Sequence, residues 1–239
     1  MKWRIFHKKE TLSTNTDAKV GQHGDVFTAD YQSAGRGRLD HKWLSNRGEN
    51  LMMSAVLDVG SLEITHAATL PLVVGLAVVK TISSFLGSKA DVKLKWPNDV
   101  YVSNLKIAGI LCERTGDNVV VGIGVNVHQK IFPPDISLRA TSLDLMGSRV
   151  DVIEVRDVLL KFLLEIYNIW KEKGFRAIYP QITSIDWLKN REIAVIQTDN
   201  DEKPTRGLCS GIAPDGSLIV GETHIWAGEA HVLVAKNSR

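Results

Sequence analysis

Between residues 92 and 127 the chain passes through four short runs of alternating character, parted by turn signals, and few folds besides an antiparallel meander accommodate that pattern. Val92, Leu94 and Trp96 alternate, Val100 and Val102 follow, and Ser103-Asn104 marks a turn. Residues 105–113 resume the pattern, and a second turn at 115–118 leads into residues 119–127. Runs joined by so few residues lie beside one another as antiparallel neighbours. Two helices bracket the meander. In residues 71–85, Val74, Ala77, Val78, Thr81, Ile82 and Phe85 recur at helical spacing, and Gly87 ends the run. The second opens at Asp151 with Glu154 three residues on, a capping-box pattern, and carries Val155, Leu159, Phe162, Leu163, Ile166 and Trp170 in one stripe to Gly174.

Near Trp187 the long periodicity stops. Short alternating runs follow, punctuated by Lys203-Pro204, Pro214-Asp215-Gly216, Gly221 and Gly228, so residues 1–188 and 189–239 are expected to form a larger domain and a small β domain. The chain of 239 residues carries 29 basic and 27 acidic groups, a balance of +2 that lacks the footprint of a dedicated nucleic-acid binder. The 49 residues from Arg191 hold five basic and seven acidic groups, so the tail is no basic arm. Cys112 and Cys209 lie 97 positions apart with no close cysteine or histidine partner, which writes neither a disulfide framework nor a zinc site. The longest apolar run, residues 67–79, is interrupted by Thr69 and Pro71 and stops at Lys80, short of the roughly 20 residues a membrane span needs. Lys2, Arg4, Lys8 and Lys9 interleave with Trp3, Ile5 and Phe6 and leave no signal-peptide core. A reducing cytoplasm is the expected setting.

Four clusters have chemical potential. Residues 30–50 lack helix or strand period, and within them Gly35 and Gly37 interleave with Arg36 and Arg38. Glycine lets a backbone approach a ligand and guanidinium forks suit carboxylate or phosphate, though a solvated basic loop has the same composition. Neither this stretch, where Asp40 replaces a third glycine, nor Gly122-Ile123-Gly124 is a dinucleotide fingerprint. Lys95-Trp96-Pro97-Asn98-Asp99 reads as a turn between strands, and Lys106 starts an apolar strand, which sets its ammonium at the mouth of the sheet, though an edge lysine that only snorkels fits the same position. Period-2 alternation puts Gly122, Gly124 and Asn126 on one face, either for a ligand or for tight packing. Residues 11–16 offer hydroxyls and an amide ahead of a helix expected at Asp17, as caps or as ligand contacts. Ser45, Ser54, the histidines and the cysteines fit no catalytic spacing and are taken as structural or surface residues.

In chain order, Ser13-Thr14-Asn15, residues 32–38 with Trp43, and residues 95–99, 106–109 and 122–126 resemble the motifs of biotin protein ligases of the short, single-function kind, across about residues 10–145. The resemblance implies an α+β fold: a central mixed, mainly antiparallel sheet flanked by helices, of the class II synthetase-like ligase type, with an SH3-like C-terminal β-barrel. It also implies an ATP-dependent reaction in which biotin becomes biotinyl-5′-AMP and is then passed to a lysine of a biotin carrier domain of a carboxylase. By motif, Ser13, Thr14, Asn15, Gln32, Gly35, Arg36, Gly37, Arg38 and Lys106 would bind biotin. Arg36, Arg38, Trp43, Asn98, Asp99, Lys106 and Asn126 would bind ATP, Asp99 would hold its Mg2+, and Lys106, Arg36 and Arg38 would be catalytic. The glycines would let the loop fold over the intermediate and keep water out. The family's usual basic stretch after Arg38 is replaced by Leu39-Asp40-His41, and the motifs begin too early for the DNA-binding domain of its repressor members. No nucleic-acid or membrane partner is expected, and a homodimer is open. The rival reading is a lipoate or octanoate protein ligase or transferase, and a more distant one a non-catalytic biotin sensor.

Overall fold

The structure, a computed structural model, describes residues 1–39, 41–60, 62–197 and 204–233, so Asp40 and Lys203 lie outside the described residues. In order, its elements are β1 (Arg4–Lys8), α1 (Thr14–Ala18), β2 (Asp25–Ala29), β3 (Asn50–Asp58), α2 (Ile64–Ala67), α3 (Leu70–Leu86), β4 (Val92–Lys95), β5 (Asp99–Val102), β6 (Leu105–Thr115) and β7 (Asn118–Asn126). There follow α4 (Val152–Lys173), a single 3-10 turn, α5 (Tyr179–Ser184), β8 (Glu192–Ile196), β9 (Thr205–Ile212), β10 (Leu218–Val220), β11 (Thr223–Ile225) and β12 (Glu229–Val232).

The expected meander is β4 to β7. It forms one half of a seven-stranded sheet ordered β1-β2-β3-β7-β6-β5-β4, in which only β1 and β2 run parallel. The sheet is therefore mixed and mainly antiparallel. The side chains of β7 divide by parity: Val119, Val121, Ile123 and Val125 join the main core with α3 and α4, while Val120 faces the other way against Ala18 of α1 and Val56. That second face is where the glycines lie.

Both long helices form where their signals stand. Pro71 sits in the first turn of α3, where a missing amide hydrogen costs nothing, and Gly87 closes the helix at φ 80°. Gly75 costs α3 helix propensity, but a Cβ there would overlap Leu94 of β4, so the glycine lets helix and sheet approach. The side chain of Asp151 accepts from Ile153 N at 2.7 Å to cap α4, and Lys171 and Lys173 complement the dipole at its far end. Thr65–Leu86 is apolar and long enough to cross a membrane, but 67% of its apolar 18-residue window is buried in the fold, as suits a core helix. The short helix α1 starts at Thr14, three residues before the expected position, because Thr14 and Asn15 are drawn into buried contacts described below.

The C-terminal strands form a second, fully antiparallel sheet ordered β11-β10-β9-β8-β12. It is open, where a closed SH3-like barrel was expected: β10 and β11 are three residues each, and no pairing among the described residues joins β11 to β12. Its apolar side chains instead continue the main core, through Ile193, Val195, Ile212, Leu218 and Ala230. Trp96 Nε1 donates to Gly216 O at 3.1 Å and Tyr179 OH to Ile212 O at 3.0 Å across the junction.

Trp170 of α4 is fully buried, donates Nε1 to Thr69 Oγ1 at 2.9 Å and meets His66 edge-on, so it locks the two long helices together. Trp170→Ala should lower the stability of the native state by about 3–5 kcal/mol, read as a lower urea midpoint with an unchanged slope.

Candidate active site

Strand register arranges the second face of the sheet in rows. Ser54 of β3, Gly122 of β7 and Leu111 of β6 form one row; Met52, Gly124, Gly109 and Asp99 form the next; Asn50 and Asn126 begin a third. Gly109, Gly122 and Gly124 leave a bare trench in the middle. It lies within a cavity of about 340 Å³. From Gly122 to Asn126 the trench runs about 13 Å at ordinary strand rise. Asn15 leans over Gly122, where a Cβ would overlap its Oδ1, and the Trp43 ring lies over Gly124 and against Gly109.

A β-bulge delivers Lys106. Asp99 pairs with Gly109 and Val100 with Ala108, but Tyr101 pairs with Lys106, so Ile107 is an extra residue on β6. Strict alternation would turn Lys106 away from the face that Gly109 occupies; the bulge reverses the parity, and Ile107 goes into the core. Lys106 Nζ comes to 2.8 Å from Asp99 Oδ1, an ion pair without an aligned hydrogen bond. Its backbone pairs with residues 139–141 instead of with β5 alone, through Lys106 N to Arg139 O and Thr141 N to Lys106 O.

At the other end of the trench is a buried polar lattice. Gln32 Oε1 accepts from Thr14 N at 2.7 Å and from Thr14 Oγ1 at 3.0 Å. The Ser54 hydroxyl lies 2.7 Å from Thr14 Oγ1 and 2.6 Å from Asn15 Oδ1. Asn15 Nδ2 donates to Glu113 at 2.6 Å. Ser13 lies beside them as the residue before α1, with its side chain making no cap. The hydroxyls read as either caps or ligand contacts are therefore not caps.

The stretch without helix or strand period is a folded-back loop. Trp43 N donates to Gly35 O, Gly37 N to His41 O, and Arg36 bridges to Lys42. Gly35 is held where a Cβ would meet the Trp43 carbonyl. One Arg36 nitrogen straddles both carboxylate oxygens of Glu113 at 3.0 and 2.9 Å. Arg38 Nη1 donates to Asn98 Oδ1 at 3.3 Å and to Gly228 O at 3.2 Å, and burial draws this guanidinium below its ordinary value. Asn98 is itself anchored to Ile110 O at 2.8 Å, and Asn126 to Thr141 O at 2.9 Å. Every site residue expected from sequence lines the cavity except Gly35, which faces a wider depression of about 1260 Å³ on the outer side of the loop.

The family model for the biotin/lipoate A/B protein ligase family matches residues 6–129, about half of the chain. The chain belongs to this family. It is 38% identical to a biotin–[acetyl-CoA-carboxylase] ligase of Paracoccus denitrificans, over 88% of this chain and 91% of that one. The Escherichia coli bifunctional ligase/repressor BirA is 30% identical over 86% of this chain, which spans 65% of that protein's length. A solved structure of the Aquifex aeolicus biotin protein ligase in complex with biotin and ATP superposes with a TM-score of 0.84, at 32% identity, over 96% of this chain and 98% of that one.

Several members of this family member's site escaped the sequence reading. Ser54, taken as structural or surface, is fully buried in the polar lattice; its signal was a lone hydroxyl in the apolar strand β3. Glu113, at the far end of β6, had no local signal. Arg139 and Glu229 to His231 line the cavity only because tertiary folding brings them there. Cys112 packs beside the loop, and burial pushes its thiol up to about 12; burial also pushes the Cys209 thiol up to about 11. The thiolate is the reactive form, so at pH 8 both groups should be alkylated by iodoacetamide at least ~100-fold more slowly in the native than in the urea-unfolded chain, as mass spectrometry would record.

Proposed function

We propose that the chain is a biotin protein ligase: it converts biotin and ATP to biotinyl-5′-AMP and pyrophosphate, then transfers the biotinyl group to a lysine of a biotin carrier domain of a carboxylase. The observation that carries this reading is one trench with a buried hydrogen-bonding lattice at one end, Lys106 at the other, and the loop cations Arg36 and Arg38 along it. Biotin's ureido ring has an acceptor oxygen and two N–H donors, which the Thr14, Asn15, Ser54 and Gln32 groups can satisfy. A lipoyl or octanoyl chain has no such groups and would cover the remaining lone pairs and protons of this lattice with hydrocarbon, which a polar head group would not. That favours biotin over the fatty-acyl alternatives.

In the first step a carboxylate oxygen attacks the α-phosphorus, the bond to the β-phosphate oxygen breaks, and pyrophosphate leaves. Two anions must meet, so positive charge has to be in place beforehand, and Lys106, Arg36 and Arg38 supply it from two sides. In the second, the neutral amine of the carrier lysine attacks the acyl carbon, AMP departs with the former carboxylate oxygen, and the nitrogen loses a proton. Trp43 and Asn126 would contact the nucleotide beyond the biotin end. Among the described residues no group of three or more His, Cys, Asp or Glu gathers to hold a metal alone. Asp99 Oδ1 is buried without an aligned hydrogen bond, and one such carboxylate fits a Mg2+ that arrives on the phosphates of ATP and neutralises them. Residues 1–188 would form the ligase unit, and residues 189–239 a small β unit that reaches the loop through Gly228. Two free cysteines and the absence of a nucleic-acid footprint accord with a cytoplasmic enzyme that acts on small molecules and a protein carrier.

Pyrophosphate–ATP exchange with magnesium tests the reading. Exchange should require biotin and be supported by neither octanoate nor lipoate. Lys106→Ala should lower its rate by about 10²–10³-fold while the biotin Kd changes far less. Exchange supported by a fatty acid or lipoate would transfer the assignment to the rival enzyme.

A further inference from the structure

We propose that Glu113 fixes which end of the Asn15 amide faces the ligand and thereby makes the head of the trench selective for an N–H donor; the proposal rests on the biotin reading above. A carboxylate can only accept hydrogen bonds, so the Asn15 group that meets Glu113 has to be the NH2. Asn15 Nδ2 lies 2.6 Å from Glu113 Oε2, and its other hydrogen points to Leu111 O at 3.4 Å. Both donors are thus committed to β6, and Oδ1 is turned toward Ser54 and the bare backbone of Gly122. Ser54 has a single proton to share between Thr14 Oγ1 and Asn15 Oδ1, so Oδ1 keeps a lone pair for the trench. An amide without this anchor could rotate by 180° and present its NH2, which a ligand N–H cannot meet.

Glu113 is suited to the task by its surroundings. Burial works against its charge, but the Asn15 amide and Arg36 hold its carboxyl below the usual carboxylate range, so it is ionised at neutral pH. The cations that face it are Arg36 and, at 3.8 Å, Lys19. Because Arg36 grips the same carboxylate, the folded-back loop and the floor of the trench share one anchor. Glu113 is a positioning residue, since it acts on the ligand through Asn15.

The test is calorimetric titration of the full chain and its Glu113→Leu variant with biotin and with the two carbamate analogues, in each of which a ring oxygen replaces one ureido N–H. The unaltered chain should bind biotin at least ~10-fold more tightly than one of the analogues, and Glu113→Leu should weaken biotin by a similar factor while that analogue changes by less than about threefold. Glu113→Gln, which keeps the shape but leaves one acceptor oxygen between Asn15 and Arg36, should lose discrimination in part and serves if the leucine variant does not fold. Equal weakening of biotin and both analogues, or unchanged biotin affinity in a folded variant, would overturn the proposal. If the unaltered chain binds no biotin, the reading beneath it fails first and the proposal with it.

Discussion

A sheet face is ordinarily filled by the side chains of its own strands; here three glycines on two neighbouring strands leave it bare, and the polar residues of the site are arranged around that gap. Gly122 admits Asn15, Gly124 and Gly109 admit Trp43, and the row that holds Gly109 ends at Asp99. The other face of the same strands is a continuous apolar core with α3 and α4. Rigidity on one side and absence of side chains on the other are what make a precise trench possible, since groups mounted on packed strands keep their positions better than groups on loops.

Charge is handled by pairing. Arg36 rests on Glu113, Lys106 on Asp99 and Arg38 on Asn98 and the Gly228 carbonyl, so each cation needed for an anion-joining reaction already has a partner that holds its direction. An anionic substrate arriving among them meets groups that are oriented beforehand, which is the condition for electrostatic stabilisation to act without reorganisation. The C-terminal strands take part in this through the Gly228 carbonyl and through Glu229, which lies 3.6 Å from His41 Nε2 of the loop. The open sheet shares its apolar side with the main core, and Gly228, just before β12, reaches the loop.

Much of this was legible in the chain. The meander, both long helices with Asp151 capping α4 and Gly87 closing α3, the shared face of Gly122, Gly124 and Asn126, and the loop carrying Arg36 and Arg38 all rest on local periodicity or turn chemistry, which a sequence displays directly. What local pattern cannot display is register between distant segments. The bulge at Ile107, which decides where Lys106 points, is set by the pairing of β5 with β6. The contact of Glu113 with Asn15, 98 positions away, and of Gly228 with Arg38, 190 positions away, arise only when the sheet and the C-terminal strands assemble. Ser54 is the intermediate case: a hydroxyl amid apolar neighbours signalled a buried hydrogen bond, but not with whom.

The bare stretch of β7 as the floor of the proposed biotin site is central, and Gly122→Ala tests it most directly. The added methyl would overlap Asn15 Oδ1 and raise the floor by one carbon while leaving the apolar face of β7 untouched. Calorimetric titration of biotin should then show an affinity at least ~30-fold weaker, with a circular dichroism spectrum like that of the unaltered chain, because a lost buried hydrogen bond and a blocked contact together exceed about 2 kcal/mol. A folded Gly122→Ala chain that bound biotin as tightly as before would contradict the account.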